Sequence, residues 1–152
     1  MREEGLERFV AAQAPVIDRV RAELSAGRKS SHWMWFVFPQ LRGLGQSPMA
    51  WFYGLAGVPE ARAYDAHEVL GPRLRGCAAL VLSHSGRSAE EIMGPVDALK
   101  LRSCATLFAE VSQEPAVFAR LLETFHGGQS CPRTDEILEN ARPRSHDRGT
   151  GA

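Results

Sequence analysis

Apolar positions along this chain recur three and four residues apart over most of its length, the spacing of helices that bury one face. Leu6, Phe9, Val10, Ile17, Val20 and Leu24 form the first stripe, which runs to about Ala26 and stops at Gly27. Pro15 lies inside it. A proline there removes a backbone donor and clashes with the carbonyl four residues back, so a kink or two abutting helices is expected. Gln13 is in phase with the stripe, and a buried amide must find partners, either in nearby backbone or in a pocket.

Further along, Ser47-Pro48 places a capping hydroxyl before a proline and predicts a short helix to about Tyr53. Pro59 to His67 reads as the next helix. Leu70, Leu74, Cys77, Ala78 and Val81 mark the buried face of one that ends near His84. Ser88-Ala89-Glu90-Glu91 is a capping box, and Gly94-Pro95 closes that turn and opens a helix with Ala98, Leu101, Ala105 and Phe108 inside. Glu114-Pro115 starts a helix with Val117, Phe118, Leu121, Leu122 and Phe125 buried, ended by Gly127-Gly128. Thr134-Asp135-Glu136 begins a last short one to about Glu139. No stretch alternates as a strand does. The expected fold is therefore all-α: a compact orthogonal bundle of about seven short to medium helices, one domain over residues 1–139. Residues 140–152 are polar, aperiodic and rich in Arg, Pro and Gly, and are expected to form a disordered tail.

One stretch does not fit this pattern. Trp33, Trp35, Phe36 and Phe38 crowd four rings into six positions, too short and irregular to assign by period. Pro39 disfavours helical geometry at Phe38, so any turn should end there. Arg28, Lys29 and His32 stand before or among the rings, and Gln40 follows them. Rings beside cations and amides suit a flat, electron-rich ligand: the rings stack on a base or nicotinamide, and the cations and amides hold phosphate and ring edges. Taken by themselves the residues favour a packing hub, since aromatic side chains bury large areas.

Composition adds limits. A chain of 152 residues can bury a core without metal or disulfide staples. Its formal net charge is zero, which gives no global reason to expect nucleic acid or an anionic membrane as partner. No apolar run reaches the length of a membrane span. The charged N-terminus lacks a signal peptide's apolar core, so the cytoplasm is the expected location. Cys77, Cys104 and Cys131 are widely spaced and form no CxxC, so neither a zinc site nor a disulfide framework is indicated. Cys77 and Cys104 read as small core residues, and a reactive thiolate would need an electropositive, partly open site. The histidines form no helical pair, and no nucleotide-loop or hydrolase motif occurs, so no metal and no cofactor is expected.

A second polar constellation lies on the helix that starts at Pro95. Asp97 and Lys100 are three apart, which permits a surface ion pair worth a few tenths of a kcal/mol, or a proton-moving pair at a pocket mouth. Arg102 and Thr106 stand on another side of that helix.

These segments carry a resemblance. The pattern from Arg8-Phe9-Val10 to Gln13, the block SHWMWFVFPQLRGLG from Ser31 to Gly45, Ala61-Arg62-Ala63-Tyr64, Leu70-Gly71-Pro72-Arg73-Leu74, the run from Asp97 to Phe108, and Phe125-His126-Gly127-Gly128 resemble bacterial domain-of-unknown-function family 1810. That family is compact and helical and is sometimes labelled calpastatin-like. More distantly, the helix order and the Asp97-to-Lys100 segment look similar to the helical superfamily that processes ADP-ribosyl and N-glycosidic compounds. This second resemblance implies a pocket for a nucleotide or ADP-ribose-like small molecule, and hydrolysis at an N-glycosidic carbon. Asp97 and Lys100 would then be the catalytic candidates. Arg28, Lys29, His32, Trp33, Trp35, Phe38, Gln40, Arg102, Thr106 and Gln13 would line the ligand site. The alternative is a ligand-binding or protein-interaction module without catalysis.

Overall fold

The computed structural model describes residues 2–142, with side chains from residue 5 onward. Ten helices follow in order: α1 Arg2–Gln13, α2 Ile17–Ala26, α3 Met34–Val37, α4 Pro48–Phe52, α5 Val58–Ala66, α6 Leu70–Leu82, α7 Ala89–Met93, α8 Pro95–Val111, α9 Ala116–His126 and α10 Pro132–Ala141. There is no strand among the described residues, only an isolated parallel bridge between Leu41 and Leu55. The all-α class and the single domain stand; the count of about seven does not. Three local causes account for the difference. The stripe crossing Pro15 is two helices, the ring-rich segment winds into one turn, and the capping box at Ser88 heads a short helix of its own.

Pro15 does more than kink its helix. Without its N–H the ladder breaks, α1 ends at Gln13, and the amide of Val16 turns back to the Gln13 carbonyl at 3.0 Å. Gly27 closes α2 in the left-handed region, at φ 73°, where a glycine bears no Cβ penalty. Ser47 caps α4 by accepting from the Ala50 amide, and Ser88 and Glu91 form both halves of the capping box. At the far end α10 starts at Pro132, two residues earlier than expected, because Cys131 stands at its cap and proline fills its first turn. It continues to Ala141, past the expected Glu139. The rest of the expected tail lies outside the described residues.

The core is arranged around α8. Every position from Leu101 to Phe108, except Arg102, is buried, so this helix has no solvent face over two turns. It packs against α9, α7, α5 and α10, while α6 joins α9, α5 and α2, and α1 lies on α3 and α5. No helix among the described residues is long and apolar enough to cross a membrane.

Two buried polar networks tie the layers together. Gln13 donates to the Phe36 carbonyl at 2.7 Å and to the Tyr64 hydroxyl at 3.1 Å, and accepts from Arg73 at 3.2 Å. Asp65 accepts from Arg75 at 2.8 Å, from the Ser112 hydroxyl at 2.7 Å and from the Gln113 amide at 2.9 Å. A buried carboxylate is tolerated when paired and hydrogen-bonded in this way.

Candidate functional site

The bend from Arg28 to Ser31 is held by one side chain, Glu23 on α2. Its Oε1 accepts from the Ser30 amide at 2.9 Å, the Ser31 amide at 3.2 Å and the Trp33 indole at 2.9 Å. Its Oε2 accepts from the Ser31 hydroxyl at 2.6 Å. Burial works to raise the Glu23 carboxyl, but these bonds, the Ser31 hydroxyl first, outweigh it and hold it at about 2 against an ordinary 4.5. The Lys29 amide meanwhile donates to the Ile92 carbonyl on α7 at 2.7 Å. The entry to the ring-rich turn is therefore fixed from two directions.

Fixing the bend brings Lys29 onto α8. Its Nζ lies 2.7 Å from Asp97 Oδ2 and 2.6 Å from the Ser31 carbonyl oxygen. Lys100 Nζ reaches the other oxygen of Asp97 at 3.4 Å. Each ammonium also faces an indole: Lys29 is 4.9 Å from the Trp33 ring centroid and Lys100 is 4.8 Å from that of Trp35. Such contacts contribute roughly 0.5–2 kcal/mol each, more where water is excluded. The Lys29 side chain is only 6% exposed, and Asp97 and Lys100 are 18% and 20% exposed. Two cations share one carboxylate, which leaves one positive charge in excess in a half-buried setting.

The structure thus brings Lys29, Trp33, Trp35, Asp97 and Lys100 together. Beneath Lys100 and Trp35 lies a cavity of about 10 Å³, bordered by Phe38, Gln40, Ala50 and Tyr53. That volume suits one water molecule, not a nucleotide. Trp33 and Phe38 are each 1% exposed and serve the core. Trp35 is half-buried, while Arg28 and His32 are exposed on the bend.

Three expected members are elsewhere. Arg102 lies roughly 140° around α8 from Asp97, since each helical residue turns about 100°. It donates to the carbonyls of Gln129 at 3.0 Å and Ser130 at 2.6 Å. Thr106 accepts from the Cys131 amide at 2.8 Å. Both fasten the α9–α10 connection and do not join the Asp97 cluster. Gln13 is spent on the network linking α1, α3, α5 and α6. Glu23 was not legible as a site residue, because a glutamate near a helix end carries no signal that four donors will converge on it. Among the described residues, no group of three or more His, Cys, Asp or Glu is placed to hold a metal ion.

An all-helical single domain with a ring-rich turn clamped onto a central helix is the class defined here. The chain belongs to the family described as Protein of unknown function (DUF1810), which matches residues 3–138. It is similar to the crystal structure of the conserved hypothetical protein Rv1873 from Mycobacterium tuberculosis, with 54% identity and a TM-score of 0.86, over 88% of this chain and 96% of that one. No curated protein matches the chain.

Proposed function

We propose that the protein binds a small anionic ligand bearing a flat ring, of the nucleotide or ADP-ribose kind, at the mouth formed by Lys29, Trp35, Asp97 and Lys100. The observation that carries this reading is the position of Lys100, 4.8 Å over the Trp35 ring and 3.4 Å from Asp97, with both ends of that ion pair partly open to solvent. An ammonium at an open edge can hold a phosphate, and a half-buried indole such as Trp35 can meet a ring. The ligand would sit over the small cavity, not inside it. Cleavage at an N-glycosidic carbon is the finer form of the reading. Asp97 would face the positive charge that develops there, but both its oxygens are engaged by lysines, so binding is the better supported half.

The test is thermal unfolding with millimolar ADP-ribose, AMP or inorganic phosphate, paired with chromatography of the ligand for cleavage products. A ligand at about 100 times its Kd adds roughly 2.7 kcal/mol of stability, and Lys100→Ala and Trp35→Ala should remove that gain. Flat melting curves with all three compounds would sink the proposal. The second reading, a protein-interaction module, is favoured by α4, where Trp51 is 61% exposed, Phe52 53% and Met49 39%.

A further inference from the structure

Cys131 stands at the cap of α10, a ten-residue helix, with Pro132 following. Its surroundings differ from those of the other two thiols. Cys77 and Cys104 are buried among apolar side chains, whereas Cys131 is half-buried. The Ser103 hydroxyl on α8 lies 3.4 Å from its Sγ and 3.2 Å from the Leu99 carbonyl oxygen, and its one proton serves either acceptor. The amides of Arg133 and Thr134, in the first turn of α10, point toward the sulfur without closing a conventional cap bond. Thr134 is the third residue of α10, the position from which a side chain reaches back to the cap. Its hydroxyl is 0% exposed and has no hydrogen-bond partner of its own. A buried hydroxyl in this condition carries a desolvation cost, which an acceptor oxygen placed at the sulfur would relieve.

The position of the sulfur is also rigid. Its own backbone amide is held by Thr106, and the two preceding carbonyls by Arg102. Four donors thus surround one sulfur at a helix N-terminus, where partial positive charge favours an anion. Burial works to raise the Cys131 thiol, but the donor groups around it, the Ser103 hydroxyl first, outweigh it and bring it below the ordinary 9.0. Burial pushes Cys77 up to about 11 and Cys104 well above its usual range.

We propose that Cys131 is an oxidation site that reacts with small hydroperoxides to give a sulfenic acid, whose oxygen takes up the unused hydrogen bond of Thr134. The thiolate attacks one oxygen of hydrogen peroxide. The S–O bond forms as the O–O bond breaks, and hydroxide leaves and takes a proton from solvent to become water. Sulfur is oxidised by two electrons and the peroxide is reduced by two. A peroxide is small enough for a half-buried sulfur.

The full chain is treated with hydrogen peroxide in the presence of dimedone, which traps sulfenic acids, and the adducts are mapped by mass spectrometry. The reference is an unstructured peptide of residues 128–135 under the same conditions. Labelling is expected at Cys131, at a rate on the order of tenfold above the peptide, with Cys77 and Cys104 unlabelled. Thr134→Val should slow it severalfold while the circular dichroism of the fold is retained, and Cys131→Ser should abolish it. Labelling no faster than in the peptide, or directed to the other two cysteines, overturns the proposal. Because that comparison uses the unaltered chain, it decides the matter even where a variant fails to fold.

Discussion

Replacing Glu23 by glutamine tests how the ring-rich turn is held. Glutamine keeps the size and one acceptor oxygen, but it removes the charge and turns an amide toward the Ser31 hydroxyl, which now donates at 2.6 Å. The carboxyl sits at about 2 in the folded chain against an ordinary 4.5. At 1.36 kcal/mol per unit this sets a ceiling of about 3 kcal/mol on the charge's contribution. The side chain is partly exposed, and solvent screening reduces the figure to about 2 kcal/mol. The sign follows from linkage. A carboxyl depressed on folding adds stability that is fully present above 4.5 and is lost as pH falls from there through about 2. Urea unfolding of both chains at pH 7 should therefore differ by about 2 kcal/mol, and the gap should shrink progressively when the titration is repeated between pH 4.5 and 2. Equal stability at pH 7, or a gap that stays constant through that window, would refute the reasoning.

Other perturbations follow from the same geometry. Asp97→Asn leaves Lys29, which is 6% exposed, without its counter-ion and should cost about 1–3 kcal/mol in chemical denaturation. Lys100→Ala, at the longer and more open end of the pair, should cost under about 1 kcal/mol. Gly71→Ala would drive a Cβ into the Asp65 carbonyl oxygen and should lower the melting temperature clearly. Gly76→Ala on the same helix meets open space and should be neutral or stabilising by up to about 1 kcal/mol.

Helical class and most element starts were legible in the residues, because caps and prolines act locally. Ser47-Pro48, Ser88 with Glu91, and Gly94-Pro95 each set a boundary through bonds to their own neighbours. The single turn at Met34–Val37 was not legible, since its conformation depends on Glu23 and on Ile92, which no local period encodes. The pairing of Asp97 with Lys100 could be read from their spacing. Its partner Lys29 could be named as a candidate but not placed, because the contact spans the chain. Arg102 and Thr106 share α8 with Asp97, and only the observed packing shows that they serve the opposite side. Asp65 gave no warning of its burial; the close approach at Gly71 is its nearest trace in the sequence.

The clamp on the ring-rich turn has a consequence for synthesis. Asp97 follows Lys29 by 68 positions, and Ile92 follows it by 63. Chains grow at about 5–20 residues per second, so the turn is made after Glu23 but roughly 3–14 seconds before these two later anchors. During that interval Trp33, Phe36 and Phe38, all buried in the finished fold, precede most of the helices that complete it. The nascent chain thus presents a compact apolar sequence flanked by Arg28 and Lys29, of the kind that general chaperones hold, until the later helices emerge.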